Sequence, residues 1–156
     1  MGPGHAATRE RGSLTLFFVI FAVAAFALLS LVVDGGTAIN AKERAANIAG
    51  QAARAAADQV DVAALRSTGK VQIDQSTACQ QAAGIVATYQ TASHTSARMA
   101  GPCAYGTDPA TNQQTVTVGV RVTTAPVIPA FFSSFTMSAS ATAEEACGNA
   151  IQKENC

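Results

Sequence analysis

The chain has 156 residues, and its ten basic and ten acidic side chains cancel at neutral pH. This length allows one modest domain with an additional segment, and the balanced charge lacks the basic excess typical of nucleic-acid-binding proteins. Charged residues make up only 13% of the chain, about half the usual fraction for a soluble domain, so part of the sequence is expected to avoid water.

Residues 13–33 form an unbroken apolar segment, SLTLFFVIFAVAAFALLSLVV, without charge, proline or glycine. As an α-helix with a rise of about 1.5 Å per residue, it would extend about 32 Å, which matches a bilayer hydrocarbon core of about 30 Å. A helix also satisfies its own backbone hydrogen bonds, as a lipid environment requires. The sequence therefore predicts a transmembrane helix at 13–33, preceded by a short tail at 1–12.

A cleaved secretory signal peptide is the alternative interpretation of this segment. The apolar cores of signal peptides usually run about 7–15 residues, so this segment is too long. Cleavage between Ala22 and Ala27 would leave the apolar stub FALLSLVV on a soluble protein. A core helix of a soluble domain would need more surrounding chain than is present. An uncleaved anchor is the favoured interpretation.

Basic residues near the apolar segment predict its orientation. Arg9 and Arg11 directly precede the segment, whereas Lys42 and Arg44 follow it only after Asp34 and several polar residues. Positive charge close to the membrane favours the cytoplasmic side. We therefore expect a single-pass protein of the plasma membrane, in contact with membrane lipid, with a cytoplasmic N-terminus and an extracytoplasmic C-terminal part.

Four cysteines, Cys79, Cys103, Cys147 and Cys156, all follow the apolar segment. No CxxC pair occurs, which argues against a structural zinc site. An even number of dispersed cysteines in a small exported domain is typical of two disulfides. Of the three pairings, Cys79–Cys103 with Cys147–Cys156 is favoured because each bond joins neighbours in sequence; free thiols in a cytosolic domain are the alternative.

Residues 34–66 are rich in alanine and predict a stalk helix. We expect Asp34 to lie at the outer membrane interface, and Gly35 and Gly36 either to kink or end the helix or to be passed by it as it continues. One face of this helix collects small and apolar side chains at helical spacing, namely Ile39, Ala45, Ala46, Ala49, Ala52, Ala53, Ala56 and Val60.

Residues 67–156 predict a small extracytoplasmic α+β domain. Alternating polar and apolar residues predict strands at 70–74, 115–123 and 136–144. Residues 78–92 carry apolar side chains at spacings of three and four and predict an amphipathic helix. The expected fold class is therefore α+β, in the order α–β–α–β–β: a long N-terminal helix, then a small antiparallel sheet with one helix packed on it.

The sequence offers no constellation typical of catalysis or cofactor binding. His5 falls in the N-terminal tail and His94 in a polar stretch, and Asp58 and Asp61 are expected to be solvated. Phosphate-binding loops, dinucleotide fingerprints and HExxH motifs are absent from the sequence. We expect no enzyme activity, catalytic residue, metal, cofactor, small-molecule substrate or nucleic-acid partner.

Two further features concern the surface of the predicted domain. Arg121 is expected on the solvent-facing side of its strand. The aromatic side chains Phe131, Phe132 and Phe135 either form a contact patch near the prolines or cap the core.

The N-terminal third of the chain resembles a known family. The features that carry the resemblance are a charged stretch ending in Arg11-Gly12, the apolar segment, the junction Val33-Asp34-Gly35-Gly36 and the Ala/Arg-rich helix after it. Together they are similar to the N-terminus of TadE/TadG-like proteins of tight-adherence (Tad/Flp) pilus systems, especially the actinobacterial TadG-related type. The valine-rich strand, the loop with Pro126 and Pro129 and the segment ATAE are similar too, so the resemblance extends over most of residues 9–146.

The resemblance implies a structural minor pilin or pseudopilin-like subunit of a pilus or secretion assembly, whose helix contacts other subunits. Pilin-type precursors are cut after a glycine, which makes Gly12–Ser13 the candidate cleavage site. The family pattern places a glutamate at the fifth mature position, where this chain has Phe17. The chain is therefore either a processed subunit or an uncleaved accessory protein, and the alternative function is a tethered binding or adhesion module outside any filament.

Overall fold

A computed structural model of the chain describes residues 11–90, 95–126 and 134–145. The fold is α+β, as predicted: a long N-terminal helix leads into a small antiparallel sheet with further helices. The elements in chain order are α1 Arg11–Ala57, α2 Val62–Thr68, α3 Gln75–Thr88, β1 Thr95–Met99, β2 Ala104–Thr107, β3 Gln114–Thr124 and β4 Phe135–Glu144.

Helix α1 is one continuous helix of 47 residues, about 70 Å long at 1.5 Å per residue. It passes Gly35 and Gly36 without a break, which decides between the two alternatives stated for these glycines. A Cβ atom at either glycine would meet no other atom within 4 Å, so close packing does not explain why glycine occupies these positions. The apolar segment and the alanine-rich segment therefore form a single rod.

The alanine-rich helix ends earlier than predicted. Helix α1 stops at Ala57, and a turn separates it from α2. Asp61 begins α2 by accepting hydrogen bonds from the backbone N–H groups of Ala63 and Ala64. Gly69, with φ of 73°, ends α2 in the left-handed conformation that glycine tolerates best. The turn after Ala57 and the capping Asp61 thus divide the predicted stalk in two.

Strand β3 is the centre of the sheet and pairs along both of its edges. On one side, β4 pairs antiparallel with β3 from Thr115 to Thr124. On the other side, β1 pairs with the C-terminal half of β3 and β2 with the N-terminal half, both antiparallel. Among the described residues, no strand pairs with the outer edge of β4.

The sheet buries one face against α1 and α3. The valines of β3 alternate as the sequence predicts, with Val116, Val118, Val120 and Val122 all buried. Opposite them lies the alanine stripe of α1, a row of buried side chains at helical spacing that lets the helix approach the sheet closely. The stripe consists of Ala41, Ala45, Ile48, Ala49, Ala52, Ala53, Ala56 and Ala57.

The alanine stripe is shifted from the predicted face. Ile39 and Ala46, both expected on the packed face, are exposed, while Ala41 and Ile48 are buried instead. The face was misplaced because alanine occurs all around this part of the helix. Its composition alone therefore does not identify the side that meets the sheet.

The predicted strand at 70–74 is wrong. Only Ile73 makes a β-bridge, a single antiparallel one with Val60. The Ile73 N–H donates to Gln114 Oε1 at 2.9 Å, and the Asp74 N–H donates to the Gln59 carbonyl at 2.7 Å. This segment therefore ties the end of α1 to the start of β3 and adds no full strand.

Two short strands, β1 and β2, were not predicted. Their sequences, TSARM and AYGT, are short and dominated by small or polar residues. They are strands because the long edge of β3 supplies hydrogen-bonding partners. The Ala100 N–H donates to the Gly119 carbonyl at 2.8 Å between them, so the two strands follow each other along the same edge.

Close packing of the alanine stripe predicts a strong dependence on side-chain size. Ala49 is fully buried, so Ala49→Leu should overpack the helix–sheet interface and lower the free energy of unfolding by about 1–3 kcal/mol. Ala46 lies in the same helix but is exposed, which makes Ala46→Leu the matched control with little expected effect. Chemical denaturation of the two full-length variants in detergent measures the difference, and equal stability would contradict the packing described here.

Asp74 caps the N-terminus of α3 and predicts a pH dependence. Its carboxylate accepts the hydroxyl of Ser76 and the Ser76 N–H. The Ser76 hydroxyl bond, with further help from Thr77, holds the pKa of Asp74 below its ordinary value of 3.8. Because the folded-state pKa is depressed, the stabilisation is present above the ordinary value and is lost as pH falls through the folded value.

Thermal unfolding of the Asp74→Ala and Asp74→Asn variants tests this dependence. Asp74→Ala should lower the unfolding temperature by a constant amount at neutral and mildly acidic pH, with the difference shrinking below about pH 4. Asp74→Asn keeps a good capping side chain and should retain more of the stability at neutral pH. A deficit of Asp74→Ala that stays constant down to pH 2 would show that the carboxylate charge contributes nothing.

Candidate functional site: the N-terminal helix

The first half of α1 carries a continuous apolar surface. Every large apolar side chain from Leu14 to Val33 is between 42 and 73% exposed, and the exposed side chains lie all around the helix. In length and composition, α1 qualifies as a candidate membrane span near the N-terminus. Such a surface is costly in water and suits lipid or a neighbouring apolar helix.

Polar groups inside this apolar half are satisfied locally. The Ser30 hydroxyl donates to the Phe26 carbonyl at 2.9 Å, one turn earlier in the helix. Near the N-terminal end of the helix, Phe17 lies edge-on to Phe18 and stacks on Phe21, with ring centroids 6.0 and 6.3 Å apart. The helix therefore has an apolar surface on which the Ser30 hydroxyl is already hydrogen-bonded within the helix.

The second half of α1 is a packing surface, and the transition between the halves lies within the predicted span. Ser30 and Asp34 are only 8 and 5% exposed, and they extend the alanine stripe at helical spacing towards the N-terminus. Asp34 was expected at the outer membrane interface, but its side chain is enclosed by protein. The buried face thus continues into the last turn of the apolar segment, while Leu31 and Val32 remain exposed.

The remaining N-terminal site residues are placed as follows. Arg11 begins α1, and Gly12–Ser13 lie in its first turn, so the candidate cleavage bond has a helical backbone. Arg9 lies outside the described residues. The assignment of Arg9, Arg11, Asp34, Gly35 and Gly36 to the membrane boundaries, and of Gly12–Ser13 to cleavage, stays a prediction.

The disulfide predicted between Cys79 and Cys103 is confirmed, with Cα atoms 5.8 Å apart. It joins α3 to the segment between β1 and β2, and the Cys103 N–H donates to Cys79 Sγ at 3.3 Å. The bond therefore ties α3 to the interrupted edge of the sheet. Cys147 and Cys156 lie outside the described residues, so their pairing stays a prediction.

Loss of this disulfide should be costly. The chain between the two cysteines spans 24 positions, for which loop-closure entropy gives a stabilisation of about 3.5 kcal/mol. The Cys79→Ser/Cys103→Ser double variant should lose about this much free energy of unfolding, measured by denaturant titration. Reduction of the wild-type chain provides an independent control and should cause a similar loss. Unchanged stability in both would show that the disulfide contributes nothing to the free energy of unfolding.

Other chemically interesting side chains do not converge on one site. Asp61 is used as the cap of α2, and Asp58 is exposed beyond the end of α1. In the described parts of the chain, no three His, Cys, Asp or Glu side chains come together as they would around a metal ion. His5, His94, Phe131 and Phe132 lie outside those parts, and Phe135 is half-buried opposite Thr124 at the start of β4.

One pair of residues was missed because β1 was missed. Arg98 on β1 lies directly opposite Arg121 on β3, and both side chains are exposed on the solvent-facing side of the sheet. Like charges directly across an antiparallel pair are destabilising. Gly119, two residues before Arg121, lies against Ala100, whose Cβ would be 3.2 Å from a Cβ at this position. The signal in the sequence was the alternation in TSARM, which is too short to identify a strand by itself.

Comparison with known proteins finds a family match that lies mainly in the same helix. A family model described as Flp pilus-assembly TadE/G-like matches residues 12–59. This range contains the exposed apolar half of α1, the alanine stripe and the two residues that follow the helix. No curated protein matches the chain, and no solved structure matches it.

The match is to the family as a whole, so the actinobacterial TadG-related type stays a prediction. The resemblance stated from the sequence is confirmed at the level of the family for residues 12–59, which are similar to the TadE/G-like Flp pilus-assembly family.

Proposed function

We propose that this chain is a membrane-anchored structural component of a Tad-type pilus or secretion assembly. The observation that carries the proposal is the division of one family-matched helix into two surfaces. The first half is apolar and exposed on all sides, and the second half holds the small domain through the alanine stripe. Such a helix can anchor the domain and, through the same apolar surface, can contact other apolar helices.

The finer role in the proposal is that of a minor pilin or pseudopilin-like subunit. Its partners are other pilus or secretion subunits, contacted through the apolar half of α1. Small residues at a helix surface let a second helix approach closely in lipid, and the apolar half offers four of them in a short stretch. They are Ala22, Ala24, Ala25 and Ala27. The proposed role is structural and involves no catalysis.

Replacement of residues 14–29 by leucine tests this role. This block stops before Ser30 and leaves the alanine stripe intact, so the domain should fold and stay in the membrane fraction. If the helix contacts other subunits, the variant should fail to co-purify with pilus subunits and to reach the cell-surface filament. Restoration of the four alanines within the leucine block is the matched control and should recover part of the association. Full function of the leucine variant would contradict the proposal.

A tethered binding or adhesion module is the second candidate, and the Arg98–Arg121 pair favours it. Two like charges held side by side and exposed on one face of the sheet are suited to an anionic group of a partner. In that case the leucine variant should remain functional, while Arg98→Gln/Arg121→Gln should lose adhesion with no loss of stability. The two sets of variants therefore separate the two functions.

Processing and orientation complete the proposal. We place the N-terminus in the cytoplasm and the domain outside, on the basis of Arg9 and Arg11 before the span. The intact mass of the protein from its native membrane distinguishes the processed from the accessory form, because cleavage after Gly12 removes the first twelve residues. The processed mass would support the pilin role, and the full-length mass would support the accessory role that Phe17, in place of the family's glutamate, leaves open. External protease should digest the domain in intact cells, and protection of the domain would reverse the proposed orientation.

A further inference from the structure

The solvent-facing side of the sheet is a polar surface. Helices α1 and α3 pack on the opposite face, where the valines of β3 lie. The described side chains on the solvent-facing side are small or carry a hydroxyl group, apart from three charged ones. The charged residues are Arg98, Arg121 and Glu144. This face therefore carries two positive charges and one negative charge.

Arg98 and Arg121 are not neutralised by the described chain. They lie directly opposite each other, which places their Cβ atoms about 4.5–5.5 Å apart. Within residues 11–90, 95–126 and 134–145, neither guanidinium has a hydrogen-bond or ion-pair partner. Glu144 shares the face, but it lies six residues along β4 from Ser138, the neighbour of Arg121, which is about 20 Å. An external anion would therefore relieve the repulsion between the two arginines.

The donors around this pair are suited to a phosphate group. Each guanidinium offers five N–H donors in a planar fork, and one fork already saturates the two oxygens of a carboxylate. Two adjacent forks match a phosphate group better, because it has more acceptor oxygens and carries up to two negative charges. Ser138, exposed beside Arg121 on β4, adds a hydroxyl donor.

The composition of the face excludes several sources of phosphate or carboxylate. The cores of protein interfaces are rich in aromatic and apolar side chains, but the large apolar side chains exposed in the described chain all belong to α1 and α2. Single-stranded nucleic acid stacks its bases on aromatic side chains, and the described part of this face has none. A lipid surface lies across the axis of α1, whereas this face runs along that axis because α1 packs against the back of the sheet.

We propose that Arg98 and Arg121, together with Ser138, bind the phosphate groups of a polyol-phosphate or sugar-phosphate polymer outside the membrane. Such a polymer offers hydroxyl groups to the serines and threonines of the face and requires neither an apolar patch nor an aromatic platform. The inference rests on the second candidate function and names its ligand class. It does not depend on contacts made through α1.

Titration of the full-length protein in a neutral detergent with poly(glycerol phosphate) tests the site. Arg98→Gln/Arg121→Gln should weaken binding about tenfold or more, because hydrogen bonds between charged groups are lost. Arg54→Gln/Arg66→Gln removes the same charge from exposed positions in α1 and α2 and is the matched control with little expected effect. Polyglutamate of equal length is the control ligand and should bind the wild type several-fold more weakly.

Thermal unfolding of the same variants separates ligand binding from a purely structural role. Without ligand, Arg98→Gln/Arg121→Gln should unfold at the same or a slightly higher temperature than the wild type, since the like-charge repulsion is removed. Poly(glycerol phosphate) should raise the unfolding temperature of the wild type and leave that of the variant unchanged. A lower unfolding temperature for the variant without ligand would instead indicate arginines that serve the fold.

The outcomes separate this inference from the proposed functions. Equal binding of poly(glycerol phosphate) by the two double variants would overturn the site. Equal binding of polyglutamate and poly(glycerol phosphate) through the two arginines would overturn the phosphate ligand and leave an anion-binding module standing. If the wild type bound neither polymer, the inference would fail together with the second candidate function, and the pilus role would be unaffected.

Discussion

The contact between the alanine stripe of α1 and the valine face of β3 holds this structure together. Alanine brings the helix axis close to the sheet, and the alternating valines fill the space that the short side chains leave. Because α1 has no break at Gly35 and Gly36, this contact fixes the domain to the same rigid rod that forms the apolar anchor. Any force on the anchor is therefore transmitted to the sheet through a helix and not through a linker.

Much of this architecture follows from the sequence by simple periodicity. The apolar segment is recognised by its length without charge, and the strand of valines by its alternation with a period of two. Both signals are strong because they extend over many residues. The Cys79–Cys103 pairing was also correct, because two cysteines close in sequence need little chain between them. In each case the information is local, so a single sequence is sufficient.

The predictions from the sequence fail where the structure of a segment depends on a neighbour that is distant in sequence. Strands β1 and β2 depend on the long edge of β3, and their own residues have weak preferences. The phase of the alanine stripe depends on where the sheet lies, because Ala46 and Ala49 have the same helix propensity. The burial of Asp34 was not foreseen either, because contacts distant in sequence decide burial. The Arg98–Arg121 pair was likewise invisible until the register of β1 against β3 was known.

The outer edge of β4 has a further consequence for how copies of this chain meet. Within the described residues this edge has no strand partner, and β4 contains no lysine, arginine or proline, the usual guards against edge-to-edge pairing. Two copies joined antiparallel through this edge would be related by a two-fold axis perpendicular to the sheet. Their α1 helices would then point in opposite directions, and two copies anchored in one membrane cannot adopt that arrangement. Anchoring of α1 in a membrane would thus protect an edge that has no strand partner among the described residues.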